Sequence, residues 1–458
     1  MKKSVLFISV LFLSLSSFSQ GEFNNWYFGF NCGINFNTTP PSATTNGAVH
    51  ISDQTSTISD ASGNLIMYSD GLHVYNRNHV QMPNGFDLLG YGANYSHASI
   101  IVRKPGSTNL FYIFTLTYFA YPEGFKYAIV DMNLQGGMGD VTSKNNALLT
   151  PVCEKLTAVK HQNGTDIWII THQWNTNAFY AYLLTASGIN PPVITHIGPV
   201  HTGGDYNAQG QMASTPDGSR LALAIYDDAM FEVYNFNIAT GTVSNQIQIP
   251  GYSNAWGVQF SPDGSKLYAT KWTFAPVYQF NLLAGSPTAI ANSATIVGNC
   301  TSPNPGYMAG FMQLGPDNKV YVAKMDAAYV SVINNPNGLG TACNFVDNGL
   351  YLAGKTCQAG LPQYIQTPFS IPDFTFQNVC QGTTVPFQSQ NLSGFNSFNW
   401  NFGDPISGSN NTSTLQNPSH YYANPGNYTI TLIAHQGSIS DTIVHIITIY
   451  PIPQVNLG

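Results

Sequence analysis

Six segments of the chain place an acid, a base or an aromatic ring just after a short apolar run. These are Asp70, Tyr118, His172 with Trp174, Asp227 with Asp228, Lys271 with Trp272, and Lys324 with Asp326. Only 8% of the residues are Asp, Glu, Lys or Arg, against roughly a quarter in ordinary soluble proteins, so charge gathered at equivalent loops carries information. Carboxylates and ammonium groups bond hydroxyl-rich ligands, and Trp174, Trp256, Trp272 and Tyr307 offer flat apolar faces on which sugar rings stack. His97 and Trp256, with Gln209 and Gln211, stand where further apolar runs begin and add polar groups to the same candidate site. Exposed tight turns also select Asp and Lys, so these loops read equally as plain turns.

Other chemistry finds less support. A carboxylate pair for glycoside cleavage can be drawn from Asp227, Asp228 and Asp326, although sequence does not set their separation. His97, His172 and His201 offer imidazoles suited to zinc or copper, but they stand on separate loops without short ligand spacing, so no metal site and no cofactor is expected. The chain contains no CxxC, GxSxG, HExxH or GxGxxG. The Gly-rich stretches near Asp70 and Asp205 precede no helix, which disfavours phosphate binding. An enzyme would bring acids together within about 5–10 Å at one mouth; a binding module would expose aromatic rings there.

The elements that position these residues are strands. No segment holds a sustained helical period, and short alternating runs are bounded by Gly, Pro, Asn and Asp. "STPDGSRLALAIYDDAMFEVYNFN", "FSPDGSKLYATKWTFAPVYQFNL" and "LGPDNKVYVAKMDAAYVSVIN" repeat one plan of strand, turn, strand, link and strand. Weaker copies turn at Gly63, Gly106 and Gly164, so six units follow one another at roughly 50-residue intervals. Sheets repeated at this spacing make a β-propeller. Seven blades are expected, six or eight being the alternatives, with the last blade built from "WYFGF" and "GINFN" as outer strands and "GLPQYIQTPF" as inner strand. Such a closure removes free sheet edges. Within this register the Pro-Asp-Gly turns are hairpin devices, with Pro, Asp and Gly each meeting a turn requirement, and the candidate residues lie on the opposite face.

Composition places the protein outside the cell. Lys2 and Lys3, an apolar run from Val5 to Leu13 and the segment ending near Gln20 have the layout of a secretory signal peptide. A formal charge of -7 with 15 Lys and Arg gives no basic patch for nucleic acid or anionic membrane, and no segment of the mature chain is expected to enter a membrane. Six cysteines are free to oxidise in that compartment; Cys343 and Cys357, which bracket one short loop, are the candidate disulfide, with buried free thiols as the alternative.

After a Pro-containing boundary at "IPDF" the text changes. "WNFGDP" followed by "NPSHYYANPGNYTITL" resembles the PKD domain, an immunoglobulin-like β-sandwich. Pro405 stands where that family has a second Gly, so the turn after Asp404 takes another backbone shape and a calcium role for Asp404 is not expected. The Ser-Pro-Asp-Gly copies are similar to those of bacterial surface propellers. Together with the signal peptide and the PKD segment they resemble surface proteins of gliding, type IX-secreting bacteria, which usually continue into further PKD-like modules and a sorting domain.

The expected organisation is a signal peptide at 1–20, a propeller at 21–370, a PKD domain at 371–450 and, at 451–458, a linker toward a missing or absent further domain. The implied function is binding or adhesion at the outer cell surface, with an extracellular polysaccharide or surface protein as partner. The alternatives are a secreted glycan hydrolase or lyase and a purely structural segment of a surface fibre.

Overall fold

The computed structural model describes residues 20–89, 99–304, 306, 309–366, 373–390, 395, 397–436 and 439–452. Residues 1–19 of the expected signal peptide, His97, Tyr307 and the last six residues of the expected linker lie outside them. Two compact units divide the chain, the boundary falling between Thr375 and Phe376.

In the first unit, seven sheets of three to five strands follow one another among the described residues. The first comprises Thr55–Ser59, Leu65–Ser69 and Val74–Asn76; the second Ser99–Arg103, Leu110–Leu116, Phe125–Asp131 and Asp140–Leu149. The third comprises Val152–Lys160, Ile167–Gln173 and Thr176–Thr185, the last flanked by both Gly188–Ile189 and Val193–His201. The fourth comprises Met212–Ser214, Arg220–Ile225, Met230–Phe236 and Val243–Pro250, and the fifth Ala255–Phe260, Lys266–Lys271, Pro276–Asn281 and Thr295–Asn299. The sixth comprises Met312–Leu314, Val320–Val322, Tyr329–Ile333 and Phe345–Tyr351, and the N-terminal sheet Asn25–Phe28, Cys32–Asn35 and Ser42–Thr44. Neighbouring strands within these sheets are antiparallel apart from one closing pair.

Hydrogen bonds between the inner strands tie the sheets into a ring, a seven-bladed propeller. The Gln211 amide, leaving the fourth blade, donates to Met312 O at 2.7 Å and accepts from Val258 N and Met312 N at 3.0 and 3.1 Å. Gln363 donates to Leu156 O and Met212 O at 2.5 and 3.3 Å, and the Ser56 and Ser99 hydroxyls meet at 2.9 Å. The two glutamine bridges satisfy buried backbone groups that a barrel-like centre would otherwise strand.

Both chain ends close the ring. Trp26 lies edge-on to Tyr321 of the sixth blade at 5.3 Å, and Tyr27 stacks on Tyr68 of the first at 4.7 Å. Tyr364 stacks on Phe23 at 4.4 Å. The C-terminal strand departs from expectation in one respect: Pro362–Gln363 pairs in parallel with Thr55–Ser56 of the first blade. Closure therefore bonds the neighbouring blade and packs on the N-terminal sheet.

The turns behave as their residue types require. Asp217 accepts from Ser219 N at 3.0 Å, Gly218 N donates to Thr215 O at 2.9 Å, and Gly218 adopts φ +75°. Asp263, Ser265 and Gly264 repeat the pattern, with Gly264 at φ +68°. The one α-helix among the described residues, Pro287–Asn292, is capped by Ser286 and fits the link between outer strands of the fifth blade.

The expected Cys343–Cys357 disulfide is not formed: both are buried free thiols. Cys343 O accepts from Asn335 N and Cys357 N donates to Ala327 O, each at 2.8 Å, so the two are held at opposite ends of the strand Tyr329–Ile333. Five strand residues span about 16 Å, more than the roughly 7 Å that a disulfide bridges between Cα atoms.

The second unit is a β-sandwich with a five-stranded sheet, in which Gly426–Gln436 pairs with both Ser397–Asn401 and Ile439–Tyr450. Facing strands Thr383–Pro386 and Ser419–Tyr422 pair with each other. Its core is built on the Trp-x-Phe-Gly-Asp turn. Trp400 is buried and donates to Leu415 O at 2.9 Å; Phe402 stacks on His420 at 4.5 Å. Gly403 sits at φ +70°, where a Cβ would approach Thr429 O to 2.3 Å. His420 Nε2 and Asp404 Oδ2 pair at 3.2 Å and Pro405 opens a 3-10 turn, so the Asp404 carboxylate is engaged inside the fold.

Candidate functional site

The loops opposite the Pro-Asp-Gly turns bring aromatic rings into a continuous series. Phe119, from the 3-10 turn Tyr118–Ala120, meets Tyr206 of the 3-10 turn Asp205–Ala208 edge-on at 5.1 Å. Tyr206 stacks on Tyr226 at 5.5 Å, and Tyr226 reaches Trp256 at 6.1 Å. Trp256 then lies parallel to Phe311 at 4.8 Å and tilted against Trp272 at 4.4 Å. The series thus runs from the second blade to the sixth. Tyr206 is 54% exposed whereas Trp256 is 4% exposed, so the latter is the buried keystone and the former an open face. Lys271 completes the fifth-blade part, its ammonium 4.1 Å from the Phe274 ring, a cation–π contact.

Beneath Phe119 lies Glu154, from the inner strand of the third blade. Its carboxylate accepts the Phe119 N–H at 2.8 Å, which holds a turn whose Phe119 and Ala120 both adopt left-handed backbone, φ +50° and +54°. Left-handed conformation costs an L-residue about 1–2 kcal/mol, so the turn needs such an anchor. Burial pushes the Glu154 carboxyl well above the ordinary range and the Asp53 charge adds to it, against the Phe119 N–H, Lys155 and Gln209. Burial likewise raises the Tyr118 phenol, with Glu154, Asp53 and Tyr206 contributing. Asp53, Tyr118 and Gln209 therefore lie within electrostatic reach of Glu154. Next to Glu154, Lys155 is fully buried and donates to the carbonyls of Ala208, Gln209 and Gly210. Three acceptors call for three N–H bonds, which only the ammonium form supplies.

The residues expected from sequence divide into two groups. Asp227 and Asp228 stand exposed in the fourth-blade turn, their N–H groups both bonded to Asn207 Oδ1 at 3.0 Å. Lys271 and Trp272 are half-buried beside them in the series, with Trp256 under them. Asp326 is exposed and accepts from Gln358 and Asn304 at 3.0 and 3.2 Å.

The others are committed inside the fold. Asp70 is buried and caps its own turn, accepting from Leu72 N, His73 N and His73 Nδ1 at 2.9, 2.6 and 3.1 Å. Lys324 is fully buried and held by Asp347 and Asn348 at 3.1 and 2.6 Å. His172 belongs to a strand, not a loop, and is fully buried; Trp174 packs with Cys153 and Ala208. Sequence reasoning missed Glu154, Lys155, Asp53, Tyr206 and Tyr226. The signal for the first two was present: adjacent charges inside an inner strand, "VCEKLTAVK", of a charge-poor chain.

Residues 371–449 match the family described as PKD domain. No curated protein matches the chain. Among solved structures, it is similar to a functionally unknown protein from Desulfotomaculum acetoxidans, at 16% identity and a TM-score of 0.42, with 73% of this chain and 96% of that one covered. A Bacteroides fragilis protein proposed as a 6-phosphogluconolactonase aligns at 13% identity and a TM-score of 0.41, covering 87% and 96%. A Lactobacillus plantarum protein aligns at 13% and 0.37, covering 87% and 97%. Likeness at this level assigns no ligand or activity.

Proposed function

We propose that the chain is an extracellular recognition protein whose propeller binds polysaccharide across the aromatic series, with the PKD sandwich as spacer or second adhesive module. The observation that carries the reading is the run Phe119, Tyr206, Tyr226, Trp256 and Trp272, in which Tyr206 is exposed and Phe119, Tyr226 and Trp272 are half-buried around the buried Trp256, beside Asp227, Asp228 and Lys271. Pyranose rings present apolar faces that stack on such rings while their hydroxyls bond flanking charges. PKD domains are typically extracellular, which agrees with the secretory layout of the first 20 residues and with placement at the outer cell surface. The test is intrinsic tryptophan fluorescence during titration with soluble polysaccharides. A saturable change in the wild type that is lost in Trp272→Ala supports the reading. A response only to surface-protein extracts moves the ligand class to protein, and no response to either removes it.

Glu154 favours one second reading, a glycan-cleaving enzyme. A carboxyl pushed above its ordinary range by burial and by Asp53 resembles the acid of a glycosidase pair. New reducing ends released by the wild type but not by Glu154→Gln would select it over binding alone.

A further inference from the structure

Between the third and fourth blades lies a polar cluster that the channel-mouth site does not use. Cys153, His172 and His201 are each fully buried, and one donor atom from each lies within 4.8 Å of the others. Cys153 Sγ stands 3.8 Å from His172 Nδ1, and the two imidazoles stack with centroids 3.8 Å apart. His201 Nε2 pairs with Glu232 Oε2 at 3.1 Å, and Glu232 is itself fixed by Tyr234 and Gln246 at 2.9 and 2.8 Å. A carboxylate partner at Nε2 leaves the Nδ1 lone pair of His201 available. That atom is buried without a hydrogen-bond partner, a cost of about 1–3 kcal/mol if nothing meets it; His172 Nε2, also unpartnered, is the ring nitrogen that does not meet Cys153, so Nδ1 is the ligand atom of that ring.

The geometry points to a copper(I) site in which Cys153 thiolate and the imidazoles of His172 and His201 are the three ligands. Metal–sulfur and metal–nitrogen bonds of roughly 2.3 and 2.0 Å place trigonal donors about 3.5–3.7 Å apart, close to the Cys153–His172 separation. The donors, all within 4.8 Å of one another, then contract by at most about 1 Å, while the rings, stacked 3.8 Å apart, must splay to about 5 Å for both in-plane lone pairs to converge on the ion. Thiolate and imidazole are the donors that soft copper(I) prefers. Charge favours the monovalent ion: copper(I) with one thiolate is neutral, whereas a dication would add net positive charge beside the buried ammonium of Lys155. Binding exchanges the Cys153 S–H proton for the ion, the proton leaving to solvent, with no electron transferred. Glu232 acts as a positioning residue through His201. The absence of short ligand spacing hides this site from sequence, because its donors come from two strands of one blade and from the far end of that blade's outer strand.

The test is expression of the whole chain in copper-supplemented medium with reducing, oxygen-free purification. Copper and zinc per chain are measured by mass spectrometry, and copper K-edge absorption reads the ligands. The expected result is about one copper per chain in three-coordinate sulfur and nitrogen surroundings, falling at least tenfold in Cys153→Ser. His172→Gln is the second variant, and circular dichroism restricts the comparison to folded protein. Copper-free wild type, unchanged copper in both folded variants, or zinc bound one to one in its place would overturn the assignment.

Discussion

The strand Lys266–Lys271 ends in two different chemistries. At its start, Asp263 spends its carboxylate on the turn itself, accepting from Ser261 Oγ, Ser265 N and Ser265 Oγ at 2.6, 2.9 and 2.7 Å. At its far end, Trp272 and Lys271 spend little on their own backbone and lean on rings, Trp256 and Phe274. The two faces of one propeller thus differ in what is left for a ligand. A cleft lined by Asp217, Arg220 and Asp263 does open on the turn face, but both its acids already hold their own turns. Conspicuous residues can be scaffold, and the register they provide points to the face where side chains remain available.

The largest effect that would sharpen this contrast is at the keystone. Trp256→Ala removes a ring packed between Phe311 and Trp272, so unfolding free energy should drop by about 3–5 kcal/mol, read by urea denaturation; a loss under 1 kcal/mol would break the series as a packed unit. Next, Tyr206→Ala with Trp272→Ala removes one exposed and one half-buried ring of the series. At roughly 1.4 kcal/mol per stacking ring, ligand affinity should fall about 100-fold with the melting temperature little changed.

The turn face should answer in the opposite sense. Gly218→Ala forces a side chain onto φ +75°, with its Cβ 2.2 Å from Val159 Cγ1. It should cost about 1–2 kcal/mol from the backbone alone and leave ligand affinity unaltered.

The two faces also differ in pH dependence. Because the folded Glu154 carboxyl titrates higher than the unfolded one, the unfolded chain ionises first as pH rises above the usual carboxylate range. Stability then declines until the folded group also ionises. On the turn face, burial raises Asp60, but bonds from Asn64 and Ser62 outweigh it and hold its carboxyl low, so its contribution is lost as pH falls. Melting temperature against pH should therefore flatten on the alkaline side in Glu154→Gln and on the acid side in Asp60→Asn. The reverse assignment would contradict the comparison.

How much was legible in sequence follows from the range of the forces involved. Turn chemistry is local, so Pro216-Asp217-Gly218 and its copies disclosed the propeller, and "WNFGDP" disclosed the sandwich core. Burial is not local. Lys324 and His172 read as loop residues because strands end a residue or two away, yet Asp347 and the neighbouring blade enclose them. Glu154 and Lys155 stood out as adjacent charges in an inner strand, but what they do was not legible, because only the ring brings Phe119 and Gln209 around them. Cys343 and Cys357 are near in sequence but held apart by the strand between them.

The most direct measurement is a glycan array probed in parallel with wild type, the Tyr206→Ala/Trp272→Ala double variant and a turn-face variant, Asp217→Ala/Asp263→Ala, each checked for folding. The account predicts specific glycan signals for wild type and the turn-face variant and their loss in the aromatic variant. Equal signals from all three, or loss only in the turn-face variant, would contradict it.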